Sequence, residues 1–192
     1  NHFENHDSFL SKGPVEEDFF RKYFNELGNL VSKADFKEMS AALKIVSSVK
    51  DNGRVILIGN GGSAAIASHL SIDFTKSANI RAINFNESSL LTCFSNDYGY
   101  ENWASKALEF HSSENDVVIL ISSSGESENI INAAKFCQIK KIPLITLSGF
   151  SESNRLKKMG DANFWVSSKS YNLVENVHQI WLLSLVDYFS LT

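Results

Sequence analysis

Val-Val-Ile-Leu-Ile-Ser-Ser-Ser-Gly-Glu-Ser, residues 117–127, is the stretch that decides the fold. Five apolar, mostly β-branched residues end abruptly in hydroxyl side chains and one glycine, and a helical pattern follows from Ile130. Such a run predicts a buried parallel strand, then a tight turn and a helix. The turn therefore lies at a helix N-terminus, which exposes unpaired backbone N–H groups and the positive end of the helix dipole.

The side chains of this turn suit a phosphate group. Ser122, Ser123, Ser124 and Ser127 add hydroxyl donors, and Gly125 allows a ligand to approach the backbone closely. Anions bind readily at helix N-termini of this kind. An ordinary strand–helix turn capped by serine is the competing interpretation, and this loop alone does not decide between the two.

A second loop has the same character. The apolar run 54–58 ends in Gly-Asn-Gly-Gly-Ser, residues 59–63, and a helix of small and apolar residues follows. The loop is not a dinucleotide fingerprint, because Ala64 stands where the third glycine is needed, and it lacks the lysine of a P-loop. Two such strand–loop–helix units predict one ligand crevice at the carboxyl edge of a parallel sheet.

Composition excludes several classes of protein. Acidic residues outnumber basic ones, 22 to 18, and no basic stripe is visible, so direct nucleic-acid binding is disfavoured. No apolar run approaches the roughly 20 residues that a membrane span needs, and no signal-peptide pattern is present. We therefore expect a cytoplasmic protein. Cys93 and Cys137 show no metal or redox spacing.

The order of elements predicts an α/β protein with a doubly wound sheet of five parallel strands. Residues 1–13 are expected to form a loose arm, and residues 14–192 a single domain that starts with a pair of helices and ends with a long helix over about 171–190. The predicted strands are 54–58, 80–85, 117–121, 143–147 and 163–166. The predicted helices between them are 63–76, about 88–95, 101–110, 127–139 and 152–158.

The terminal helices are unusually apolar. Phe19, Phe20 and Phe24 form a broad aromatic face on the first helix, and the last helix is apolar on most sides. Helices of this kind pack against a partner helix or subunit, so we expect a homo-oligomer.

The two loops, together with Asn-Asp-Tyr-Gly at residues 96–99, resemble the sugar isomerase (SIS) domain family, and within it most closely the bacterial phosphoheptose isomerases. The resemblance extends over roughly residues 19–190. The serine loop is common to SIS proteins, whereas the Asn-Gly-Gly-Ser loop, the Asn-Asp pair and the N-terminal helix pair are more specific. The resemblance implies a three-layer α/β/α sandwich, a homotetramer with active sites at subunit interfaces, and a phosphorylated sugar as substrate.

The resemblance also implies roles for individual residues. The four serines of the 122–127 loop match the family's phosphate-binding positions. Substrate-binding positions are matched by Asn60, Gly61, Gly62, Ser63, Asn96, Asp97 and Glu175.

The acid/base set departs from the family pattern. His69 matches a family histidine, but Asp73 stands where the family has a glutamate four residues later. On the last helix, Glu175 replaces a glutamine, and Leu183 replaces a second histidine. These four positions bind zinc in some members, so His69, Asp73 and Glu175 form a predicted three-ligand zinc site, although no cofactor is required with certainty.

Ketose–aldose interconversion needs a base near C1 and C2 of the sugar and a binding site for the phosphate at its other end. A buried, unpaired carboxylate is costly, so Glu175 on its apolar helix is expected to face a cavity, a metal or a cation. We hypothesise that Asp73 or Glu175 removes the proton and that His178 or His69 assists. A core histidine is the competing interpretation of His178.

Two classes of function follow. The first is an aldose–ketose isomerase that acts through an enediol. Its expected substrate is sedoheptulose 7-phosphate, and its product is expected to be a precursor of lipopolysaccharide or capsule. The second is a non-catalytic SIS protein, either a sugar-phosphate sensor or a protein that binds a replication initiator. The intact loops and Asn96-Asp97 favour the isomerase, and Leu183 favours the alternative.

Overall fold

Helices and strands alternate along the chain after an N-terminal pair of helices. The computed structural model describes residues 16–49 and 52–191, so the predicted arm over 1–13 and the predicted helix start at Pro14 lie outside the described residues. The elements are α1 Glu16–Val31, α2 Phe36–Ser47, β1 Val55–Gly59, α3 Gly62–Lys76, β2 Ala82–Asn84, α4 Ser88–Tyr98, α5 Trp103–His111, β3 Val117–Ser122, α6 Glu128–Lys140, β4 Leu144–Ser148, β5 Ala162–Trp165 and α7 Tyr171–Ser190.

The strands form one parallel sheet in the order β2-β1-β3-β4-β5. The strand that carries the serine loop is central, because Val117 pairs with Val55 of β1 and Val118 pairs with Leu144 of β4. The chain order reverses direction around β1 and β3, and a topological switch point of this kind places the ligand crevice at the carboxyl ends of these two strands. The predicted doubly wound sheet of five parallel strands is confirmed.

Successive strand residues pack alternately into two separate hydrophobic cores, one on each face of the sheet. Leu57 and Ile119 pack on one face of the sheet with α1, α2, α3 and α7. Ile58 and Leu120 pack on the other face with α4, α5 and α6. Since both faces are covered by helices, every residue of β1, β3 and β4 is buried. The structure is the expected three-layer α/β/α sandwich.

The predicted helix over residues 152–158 is wrong. Only a single 3₁₀ turn forms there, at Leu156–Lys158. Side chains in the preceding loop bond to local backbone instead: Asn154 donates to the carbonyls of Gly149 and Ser151 at 3.1 and 2.7 Å. Hydroxyl and amide side chains compete with helical hydrogen bonds in this way, so the chain turns rather than winding into a helix.

The first helix is attached to the body of the domain by few of its residues. Trp181 of α7 donates its indole N–H to the carbonyl of Val31 at 3.0 Å, and Leu30 is the buried residue of α1. Phe20 and Phe24 remain 55% and 63% exposed. Within residues 16–49 and 52–191, no helix is both long and apolar enough to cross a membrane.

Candidate active site

The carboxyl ends of β1 and β3 open into a cavity of about 610 Å³. This volume falls in the range of small-molecule sites. Both predicted loops meet in the cavity, and the start of α7 closes its third side. Its polar lining consists of Asn60, Gly61, Gly62, Ser63, Ser122, Ser123, Ser124, Ser127, Ser170, Tyr171, Asn172 and Glu175.

The serine loop folds into a tight turn at the end of β3. The Gly125 N–H donates to the Ser122 carbonyl at 3.0 Å, and Gly125 has a φ of 66°. A side chain at Gly125 would also overlap with Asn154, so only glycine fits there. The turn leads directly into α6, whose first-turn N–H groups lack intrahelical partners.

Hydroxyl groups of this loop lie at the positive end of α6. Ser122 Oγ is 3.3 Å from Ser127 Oγ, so the two hydroxyls are side by side. Ser123 Oγ is buried and makes no hydrogen bond of ordinary geometry among the described residues, although the Glu175 carboxylate is near it. A buried polar group without a partner is costly, and a ligand in the cavity would supply one. The loop therefore has the donors and the dipole that an anion needs.

Arg155 binds the acidic residues at the rim of this loop. Its Nε donates to Glu126 Oε2 at 2.6 Å, and one terminal nitrogen donates to Glu128 Oε2 at 2.9 Å. Hydrogen bonds with Arg155 lower the pKa of both carboxyl groups. The guanidinium thus pairs with both carboxylates beside the serine turn and offsets one of their two negative charges.

A pair of amides joins the two loops. Asn60 Nδ2 donates to Asn129 Oδ1 at 2.9 Å, and Asn129 Nδ2 donates back to Asn60 Oδ1 at 2.9 Å. The Tyr100 hydroxyl also donates to Asn60 Oδ1, at 3.2 Å. Because Asn129 is in the first turn of α6 and is buried, this pair fixes the glycine loop relative to the serine loop.

Glu175 faces the cavity from α7. Its carboxylate lies against Gly62, so closely that any side chain at position 62 would overlap with it. Burial raises the pKa of Glu175, and the nearby Ser123 hydroxyl opposes the shift more weakly. The half-buried carboxylate has no charged partner among the described residues. It is therefore an acidic group that shares the cavity with the serine loop.

His69 and Asp73 are in hydrogen-bond contact one turn apart on α3. His69 Nε2 is 3.0 Å from Asp73 Oδ2, and His69 Nδ1 is 3.0 Å from the Gln179 side-chain nitrogen. His69 and Gln179 line a groove of about 380 Å³, and Gly62 and Glu175 line both this groove and the main cavity. Asp73 lines neither space, so the structure places Glu175, but not Asp73, at the cavity.

The predicted zinc ligands do not fit a metal in this arrangement. Both ring nitrogens of His69 are bonded to protein groups, which leaves no free lone pair for a metal. Within the described residues there is no group of three histidine, cysteine or acidic side chains that could hold a metal ion. His69, Asp73 and Glu175 are therefore not gathered into one ligand set.

His178 lies in the core rather than in the cavity. It is fully buried, and its Nε2 bonds the Ser148 carbonyl at 2.9 Å. Burial lowers the pKa of His178 to about 4, so the ring is neutral at neutral pH. It does not line the cavity, and its Nδ1 is buried without a hydrogen-bond partner. The geometry favours the core-histidine interpretation over a role in proton transfer.

The structure does not bring Asn96 and Asp97 to the cavity of this chain. Both are exposed near the end of α4, where Asn96 Nδ2 donates to Asp97 Oδ1 at 3.0 Å. Leu183, two turns beyond Glu175, packs against the core and offers no polar atom.

Sequence reasoning missed the amide partner Asn129, the Tyr100 hydroxyl and the cavity-lining residues 170–172. The Asn60–Asn129 contact joins positions 69 residues apart, so no local pattern signals it. Ser170 precedes a long helix, and this position could have been recognised as a helix start close to the carboxyl edge of the sheet.

The fold and the serine cradle are those of a SIS domain. The family model described as SIS domain matches residues 19–149. A phosphoheptose isomerase of Photorhabdus laumondii is 31% identical over 84% of this chain and 90% of that protein. The chain therefore belongs to the phosphoheptose isomerases, within the SIS domain family.

Two further relatives give the range of the similarity. Phosphoheptose isomerase 2 of Campylobacter jejuni is 39% identical over 58% of this chain, and the match spans only 59% of that protein. The structure of phosphoheptose isomerase from Neisseria gonorrhoeae superposes with a TM-score of 0.81 at 24% identity, and covers 91% of this chain and 99% of the other. The structural likeness supports the α/β/α fold.

Proposed function

We propose that this protein is an aldose–ketose isomerase that converts sedoheptulose 7-phosphate to a heptose 7-phosphate through an enediol. The observation that carries the proposal is the position of Glu175: an uncompensated carboxylate shares one cavity with a serine-rich anion cradle. The curated relatives are named phosphoheptose isomerases, which supports a phosphorylated heptose as the substrate. They also make the non-catalytic alternative the less favoured one.

The cradle is proposed to hold the phosphate. The hydroxyls of Ser122, Ser123, Ser124 and Ser127 and the N-terminus of α6 would bind its oxygens. Binding energy from this remote group would orient the reacting end of the sugar.

Glu175 is proposed as the base. Its carboxylate takes the proton from C1, the electron pair of that C–H bond forms the C1–C2 double bond, and the C2 carbonyl oxygen accepts a proton to complete the enediol. Return of a proton to C2, with loss of the O1 proton, gives the aldose. The N-terminus of α3, at Gly61, Gly62 and Ser63, lines the same cavity and would stabilise negative charge on the oxygens.

Asp73 and His69 have a supporting role in this proposal, because Asp73 does not line the cavity. Zinc has no role in the steps proposed, since His69 has no free nitrogen. Asn96 and Asp97 of a neighbouring subunit are proposed to complete the site in a homotetramer, and the exposed aromatic face of α1 supports such an assembly. A cytoplasmic location remains part of the proposal.

The test is incubation with sedoheptulose 7-phosphate in D₂O, followed by NMR. We expect a heptose 7-phosphate to form and deuterium to enter at the carbon that receives the proton. The Glu175→Gln protein should lose both signals, whereas the matched Glu17→Gln change on exposed α1 should leave them unchanged. Absence of exchange in the wild-type protein, with saturable binding that needs Ser122 and Ser124, would instead support a sugar-phosphate sensor.

A further inference from the structure

Two pairs of residues face each other across α3 and α7. On α7, Glu175 and Gln179 are four residues apart and so lie on one side of the helix. On α3, Gly62 and His69 lie opposite them: Glu175 packs against Gly62, and Gln179 bonds His69. All four residues line the same groove, so His69 and Glu175 share a space of about 380 Å³.

The contacts of His69 determine where its proton is. The Asp73 carboxylate next to Nε2 can only accept, so Nε2 donates to it, and Nδ1 then accepts from the Gln179 amide nitrogen. The ring proton is then on Nε2 and points at Asp73 Oδ2, 3.0 Å away. His69 is thereby fixed in one tautomer, with both of its nitrogens engaged.

This ring needs to be restrained. The side chain of His69 is 47% exposed, so packing alone does not hold it. Glu175, in the same groove, is a carboxylate that pairs with no cation in the part of the chain that the structure describes. A free imidazole there could swing toward Glu175 and form a hydrogen bond or ion pair with it, which would weaken Glu175 as a base.

We propose that Gln179 is a positioning residue: its amide holds His69 toward Asp73 and so keeps the Glu175 carboxylate free to act on substrate. The kinetic part of this inference rests on the proposed function, whereas the tautomer of His69 does not. Gln179 touches neither the main cavity nor the cradle, so its effect passes through His69.

The tautomer is tested by NMR of protein labelled with ¹⁵N-histidine, without substrate, at one neutral pH. In the wild-type protein we expect the His69 proton on Nε2 and none on Nδ1. In Gln179→Glu the new carboxylate can only accept, so Nδ1 should become protonated. In Gln179→Met we expect a mixture of the two tautomers. Gln138→Met, which removes a surface amide bonded to the Met159 carbonyl, should leave the His69 signals unchanged.

Kinetics give the second measurement. Gln179→Met should lower kcat by about three- to tenfold, the scale of one hydrogen bond, with little change in KM. If His69 carries its proton on Nδ1 in the wild-type protein, or if its signals are the same in Gln179→Glu, the inference is wrong even for an active isomerase. If the tautomers change as expected but no sugar phosphate is isomerised, the proposed function fails and the positioning of His69 stands.

Discussion

The carboxylate of Glu175 lies against Gly62, and a methyl group at Gly62 would occupy the place of its oxygens. Position 62 is the first residue of α3 and its backbone needs no special φ, and the three atoms nearest to an added methyl group all belong to the Glu175 carboxylate. The obstructing atoms are the flexible end of a side chain and can move away. The smallness of residue 62 therefore serves the placement of the carboxylate rather than the folding of the loop.

Gly62→Ala should therefore lower the catalytic activity without lowering the stability of the fold. We expect the protein to fold with a melting temperature near that of the wild type, while kcat/KM falls by about tenfold or more because Glu175 is displaced from its position. Steady-state kinetics and thermal unfolding measure the two effects. Gly28→Ala on α1, where a methyl group meets nothing within 4 Å, is the matched control and should keep full activity. Full activity in Gly62→Ala would contradict the assigned position of Glu175.

Replacing the carboxylate itself should have opposite effects on activity and stability. Glu175→Gln removes the proposed base, so we expect kcat to drop by about 10² to 10⁴-fold. Burial raises the pKa of Glu175, so ionisation of this carboxyl group costs more free energy in the folded protein than in the unfolded chain. The amide variant should then be at least as stable as the wild type at pH 7, which denaturant unfolding would reveal.

The same raised pKa predicts a pH profile. The base acts only when ionised, so kcat/KM should fall as pH decreases through the pKa of Glu175, at a higher pH than for an ordinary glutamate. An acidic limb at the ordinary carboxyl pKa of about 4.3 would argue against Glu175 as the base.

The sequence predicted most of this site because its determinants are local. A β-branched run followed by serines and glycine signals a buried strand and its turn, and the two turns came together as expected. The helix predicted over residues 152–158 does not form, because the Asn154 side chain bonds to local backbone. The contacts that Gln179 and Asn129 make depend on how α7 and α6 pack against the rest of the domain. No local sequence pattern indicates this packing. Asp73 lies outside the cavity because it is several turns along α3 from the helix start that lines the cavity. Its residue type gives no sign of this position.

Arg155 should matter for substrate binding although it does not line the cavity. In Arg155→Met the carboxylates of Glu126 and Glu128 lose their cation and repel a phosphate in the adjacent turn. We expect KM to rise about two- to fivefold, the scale of an exposed ion pair, with kcat unchanged. The triple variant with Glu126→Gln and Glu128→Gln should return KM toward the wild-type value.

A matched change elsewhere serves as the control for this prediction. Lys157 pairs with Glu152 at 3.1 Å on the exposed side of the same segment. Lys157→Met should leave KM unchanged. An equal rise in KM for both variants would indicate that any loss of positive charge weakens binding. The specific effect of unpaired Glu126 and Glu128 carboxylates would then be refuted.

His178 should make the stability of the fold depend on pH. Its pKa is about 4 in the folded protein and about 6.5 in an unfolded chain, so the unfolded state binds the proton more tightly. The contribution of His178 to the free energy of unfolding should be fully present above pH 6.5. It should decrease by up to about 3 kcal/mol as pH falls to 4. His178→Gln should flatten this dependence in denaturant titrations at several pH values. The same change at exposed His111 should not, and an unaltered slope in His178→Gln would refute the assignment.

Glu175 and Gln179 lie on one side of α7, where Glu175 reaches the cavity and Gln179 reaches His69, whereas His178 points into the core. Successive residues of an α-helix are rotated by about 100°. A one-residue insertion or deletion before Glu175 would therefore turn all three away from their partners at once, and no single replacement could restore them. We expect this segment to tolerate exchange of residues but no change in its length, which makes the residue count of the helix itself a functional property.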